Sequence, residues 1–158
     1  MRLLFNGVLA LLCLSMSCAH ADSSVFVLSV DKPINEVYPS VYKSLEESRL
    51  YVVLEPDIGS NLAGFSERWG DDYNRNKLSA IRGMVFCNGW YANQVSNLDP
   101  QMLAFCPMHI TLIEKEGTTT ALFARPTVIA AGSPARGVIA ELEAEVIAAI
   151  RRGMSQPE

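Results

Sequence analysis

The apolar positions of the chain fall into short runs that alternate between strand-like and helix-like spacing. Ser24 to Val30 is an apolar, β-branched run stopped by Lys32-Pro33 and predicts a strand. A helix follows, with Asn35 able to cap it, Pro39 at the edge of its first turn, and Val37, Val41 and Leu45 forming a buried stripe. Leu50 to Glu55 predicts a second strand ended by Pro56. Asp57 then caps a short helix with Ile58, Leu62, Phe65 and Trp69 on one face, closed by Gly70. The polar stretch from Gly70 to Lys77 has no period and reads as a loop.

Ala80 to Cys87 predicts a third strand, with Ile81, Val85 and Cys87 on one side and Arg82, Met84 and Phe86 on the other. Asn88-Gly89 breaks it, Trp90 to Leu98 reads as a short helix, and Asp99-Pro100 ends that helix with turn chemistry. Met108 to Glu114 and Thr118 to Arg125 are strands around the tight turn Glu116-Gly117. Ser133-Pro134 opens a final helix over 134–152, whose Ile139, Leu142, Val146 and Ile150 share a face and whose end carries Arg151, Arg152 and Gly153. The order β-α-β-α-β-α-β-β-α predicts one α/β (α+β) domain: an antiparallel or mixed sheet with helices packed on one side.

The first 21 residues stand apart. Met1-Arg2 is a short positive start, Leu3 to Met16 is mostly apolar, and Ala19-His20-Ala21 supplies the small residues that signal peptidase accepts. This predicts a signal peptide over 1–21 cleaved after Ala21, a single domain over 22–158, and a periplasmic location. The apolar run falls short of the ~20 residues needed to span a bilayer. A lipid anchor on Cys18 is the alternative, but Ser15-Met16-Ser17 lacks the aliphatic residue such signals carry. No membrane association is expected after cleavage.

Composition narrows the partners. With 13 Lys and Arg against 17 Asp and Glu in 158 residues, and no basic cluster, nucleic acid is excluded as a main partner. Removal of the leader takes away Cys13 and Cys18, leaving Cys87 and Cys106 as an even pair in an oxidising compartment. Parity places both on the core side, and a disulfide between them would close a loop worth about 3 kcal/mol. Cys-x-x-Cys is absent, so a disulfide or two buried thiols is the simpler reading, with thiol redox chemistry behind it.

Met102, Cys106, Met108 and His109 offer soft ligands that suit copper. Adjacent strand residues such as Met108 and His109 face opposite ways, however, which argues against a formed site. No cofactor is implied. Gly59 and Gly64 have the spacing of a phosphate loop, but Phe65-Ser66 replaces its Lys-Ser/Thr, and other catalytic signatures fail too. A Cys87 or Cys106 nucleophile with His109 as base is the one enzyme arrangement the residues allow. Asp71-Asp72 reads as a solvated acidic loop. Trp90 and Tyr91 cannot both be buried on one face of a short helix, so one of them is expected to line a pocket or an interface.

From Glu36 to Pro126 the chain resembles the bacterial and archaeal family known as domain of unknown function 302. The resemblance is carried by Tyr51-Val52-Val53-Leu54-Glu55-Pro56-Asp57-Ile58, Phe86-Cys87-Asn88, Asp99-Pro100, Cys106-Pro107 and Arg125-Pro126. It implies an α/β sandwich able to pair into homodimers and brings no activity with it. The expected function is therefore that of an exported, non-catalytic module binding a small molecule or a protein, with Trp90 and Tyr91 as candidate contacts. The alternative is a copper or thiol redox protein using Cys87, Cys106, Met102 and His109.

Overall fold

The computed structural model describes residues 24–155, so the predicted leader, its cleavage point, Cys13 and Cys18 lie outside the described residues. The strands are β1 (Val25–Val30), β2 (Tyr51–Leu54), β3 (Ala80–Cys87), β4 (Met108–Lys115) and β5 (Thr118–Ala124). The helices are α1 (Ile34–Glu47), α2 (Ile58–Ala63), α3 (Ser66–Trp69), α4 (Gly89–Leu98), α5 (Pro126–Ile129) and α6 (Arg136–Ser155), joined in places by 3₁₀ turns. All five strands form one sheet in the order β1-β5-β4-β3-β2, and every neighbouring pair is antiparallel. Of the two sheet types expected, the antiparallel one is present. Glu116 (φ 52°) and Gly117 (φ 79°) make the β4–β5 turn, both in the left-handed region that a two-residue hairpin requires.

One face of the sheet is the core. Met84 and Phe86 of β3, Ile110 and Leu112 of β4, and Ala121 and Phe123 of β5 are buried against Val37, Val41 and Leu45 of α1 and Val146, Ala149 and Ile150 of α6. The helical stripes expected for the first and last helices therefore point where their spacing places them. The start of α1 differs in detail: the Glu114 carboxylate on β4 accepts from the Ile34 amide at 2.7 Å, so a neighbouring strand caps the helix in place of Asn35. Helix α6 begins two residues after the expected Pro134 and runs past Gly153, where it crosses α1 so closely that a Cβ on that glycine would lie 2.5 Å from Val41 Cα.

Two expectations are corrected. The core-facing parity of β3 is Met84 and Phe86; Ile81, Val85 and Cys87 are only half-buried. Cys106 is exposed, so the cysteines lie at the margin of the core rather than inside it. Phe65 and Trp69, expected in the core, are 48% and 39% exposed. Helix α2 stops at Ala63, and the two rings stack on each other at 5.1 Å without entering the core.

The opposite face of the sheet is partly open and mixed in character, with Val27 and Leu122 beside Ser29, Thr120, Thr111 and His109. Val27, Leu122, Thr111 and Gly83 follow one another across four strands by register. Val27 is 56% exposed, and Tyr51, Val53 and Leu54 at the β2 edge are exposed as well. Pro56 lies over Gly83, where a Cβ would come within 2.9 Å of Pro56 Cγ. Among the described residues, no helix is long and apolar enough to cross a membrane.

Candidate functional site

Strand β3 runs into Asn88, whose side-chain oxygen accepts from the Trp90 and Tyr91 amides at 3.0 and 3.2 Å and so caps α4. Its amide nitrogen donates to the Arg49 carbonyl at 3.1 Å, tying this turn to the segment between α1 and β2. The cap fixes how the first turn of α4 presents its two aromatic rings. Tyr91 turns inward, packs against the core, and donates its hydroxyl to Glu145 on α6 at 2.8 Å. Burial above all, and then the bond to Glu145, push its hydroxyl up to about 12, so it stays protonated. Trp90 turns outward and is 67% exposed.

That exposed indole forms one wall of an open recess of about 700 Å³. Arg49, Tyr51, Asn88, Glu145 and Arg152 contribute to the rest of the lining. Arg152 is held by a bond from its guanidinium to Ser48 Oγ at 2.6 Å. The recess thus offers two exposed aromatic side chains beside two guanidinium groups, Arg49 and Arg152, and two carboxylates, Glu47 and Glu145. It is suited to a ligand with a flat apolar part and polar groups at its rim.

The two cysteines meet nearby. Cys87 ends β3, Cys106 precedes β4, and their sulfurs lie 3.2 Å apart. They line a small apolar cavity of about 30 Å³ beneath α4 with Met102, Met108, Val95 and Leu142 among its walls. This space is too small for an organic ligand. Burial first, and the neighbouring Cys87 sulfur second, push the Cys106 thiol up to about 11. At neutral pH it is a protonated thiol, a weak nucleophile. Met108 is buried while His109, the next residue on β4, is exposed and does not line this cavity. The structure therefore places Met102 on the same cavity as the two cysteines, while His109 lies outside that lining.

A third cluster escapes sequence reasoning because its members come from three elements. The buried Tyr38 hydroxyl lies 2.8 Å from Glu55 Oε2 and 3.1 Å from the Gly83 carbonyl, while the Arg82 guanidinium sits 3.7 Å from the Tyr38 ring centre. Burial, reinforced by Glu55, raises the Tyr38 hydroxyl well above its ordinary range. It is a donor locked in place, which ties α1 to the β2 end of the sheet.

Comparison with known proteins gives a family model described as "Domain of unknown function DUF302", matching residues 26–156, wider at both ends than the resemblance over 36–126. A solved structure, described as that of an uncharacterised conserved DUF302 protein from Bacillus stearothermophilus, superposes with a TM-score of 0.71 at 19% identity. It covers 83% of this chain and 98% of its own. At that identity the likeness speaks for the fold. No curated protein matches the chain.

Proposed function

Because the chain belongs to the family described as Domain of unknown function DUF302, a membership that prescribes no reaction, we propose that it is a non-catalytic, exported binding module whose ligand sits in the recess beside Trp90. The observation that carries this reading is the 67% exposed indole on a capped, immobilised turn. A tryptophan left in water forgoes the burial of 150–250 Å² that this side chain can supply, and ligand binding recovers it. Tyr51 provides a second apolar surface, and Arg49 and Arg152, which share the lining with Glu47 and Glu145, offer guanidinium donors to a carboxylate or sulfonate. The exported role rests on the Met1–Ala21 pattern.

Titration with 8-anilinonaphthalene-1-sulfonate, which joins a flat aromatic body to one anionic group, tests the site. One saturable binding event is expected, weakened about tenfold or more in Trp90→Ala, the ~1.5 kcal/mol that an aromatic contact is worth. Equal affinity in wild type and Trp90→Ala would remove the recess from the account.

The open sheet face favours a second reading alongside the first, a homodimer formed face to face. The uncovered strands β1, β5 and β4 offer Val27, Leu122 and Thr111 as the centre of such a contact. Val27→Glu places a charge among Leu122 and its neighbours and is expected to convert a sedimenting dimer to monomer. A wild-type chain that sediments as a monomer throughout would end this reading.

A further inference from the structure

We infer that Cys87 and Cys106 form a thiol–disulfide exchange site, a pair that a small disulfide such as oxidised glutathione closes into an intramolecular bond and a thiol reopens. Three features of the fold support this. The sulfurs are already 3.2 Å apart, so closure needs only a small approach. Phe86 and Met108, the residues just inside them, are paired across β3 and β4, so the sheet holds both ends of the intervening chain in place before any bond forms. Cys106 is exposed and Cys87 half-buried, which leaves the pair within reach of a reagent, unlike thiols sealed in a core.

The chemistry balances without any group beyond the donor. The Cys87 sulfur, as its thiolate, attacks the donor's disulfide, forming a mixed disulfide between Cys87 and the donor and expelling one donor thiolate, which takes up the Cys106 proton. The second protein thiolate then attacks the protein sulfur of that mixed disulfide, forming the Cys87–Cys106 bond and expelling the other donor thiolate. The pair gives up two electrons, the donor takes them, and both thiol protons end on the donor's sulfurs. The result is a cross-link at the base of the segment that carries α4. It stands whether or not the recess beside Trp90 holds a ligand.

The test exploits the spacing of basic residues. Between Arg82 and Lys115 the chain has no Lys or Arg, so trypsin releases Gly83 to Lys115 as one peptide carrying Cys87 and Cys106 and no other cysteine. The folded, reduced full chain is equilibrated with glutathione at graded ratios of oxidised to reduced form, quenched in acid, alkylated in denaturant and digested. The expected product is the peptide lighter by two hydrogens and bearing no alkyl group, with both thiols regained on return to reduced glutathione. Half-conversion should fall at a ratio about tenfold or more lower for the folded chain than for the same chain in urea, because the fold pre-positions the sulfurs. Cys106→Ser should stop at the glutathione adduct on Cys87. A peptide carrying two alkyl groups at every ratio, glutathione adducts without ring closure in the wild type, or equal conversion in the folded and unfolded chain would each overturn the inference.

Discussion

Gly153→Ala is expected to lower the thermal midpoint by about 5 to 10 °C, the equivalent of roughly 2–3 kcal/mol at this chain length. The added Cβ would sit 2.5 Å from Val41 Cα and 2.9 Å from both Val41 N and the Ser40 carbonyl oxygen. These are backbone atoms in the middle of α1 and cannot rotate away. Relief requires α1 and α6 to separate, which loosens Val41, Leu45, Ala149 and Ile150 together. Alanine has a higher helix propensity than glycine, a gain of at most ~1 kcal/mol in a helix interior. Overpacking is the larger effect and sets the sign. Thermal unfolding followed by circular dichroism reads the result, and an alanine variant as stable as the wild type would refute the close crossing.

Glu143→Ala should cost more still, about 3–5 kcal/mol, the range for removing one member of a buried ion pair. The Glu143 side chain is 4% exposed and accepts from Arg125 Nε at 2.7 Å, from the Thr127 amide at 3.0 Å and from the Thr127 hydroxyl at 2.6 Å. It is the clasp between α6 and the segment leaving β5. Burial pushes its carboxyl upward, but the two Thr127 bonds and Arg125 outweigh that and hold it below its ordinary value of 4.5. A carboxyl depressed in the folded state binds protons more readily once the chain unfolds. Its stabilisation is therefore complete above about pH 4.5 and is lost as the pH falls below that through the depressed folded value. Urea unfolding at a series of pH values should show wild-type stability declining there, with a shallower decline in Glu143→Gln. Parallel curves for the two proteins would rule this role out.

The parts of the fold readable from sequence are those decided by local pattern. Val37, Val41 and Leu45 on α1, and Leu142, Val146 and Ile150 on α6, bury the faces their spacing predicts, and Glu116-Gly117 turns as its residue types require. The failures occur where two patterns compete. Both sides of β3 are apolar, so alternation alone could not say whether Ile81 and Val85 or Met84 and Phe86 face the helices. Only the layer laid on one side decides it. Phe65 and Trp69 have helical spacing, but Gly64 interrupts the helix before either can be carried into the core.

The site divides the same way. Adjacency on a helix was enough to separate Trp90 from Tyr91, and adjacency on a strand to separate Met108 from His109. Nothing local marks Arg49, Tyr51 and Arg152 as neighbours of Trp90, because α1, β2 and α6 bring them there from distant parts of the chain.

The strand order has a consequence for how the chain is made. The first two strands, β1 and β2, are the two edges of the sheet, and their partners β5 and β3 come later in the chain. A nascent chain that has just passed Leu54 holds two strands that never pair with each other, and a helix, α1, whose main partner is the last helix. Closing the sheet and seating α1 both wait for distant segments, a high contact order that slows folding until synthesis is nearly over. Until β5 has been made, β1 has no strand to pair with, and until α6 is complete, α1 lacks its main helical partner.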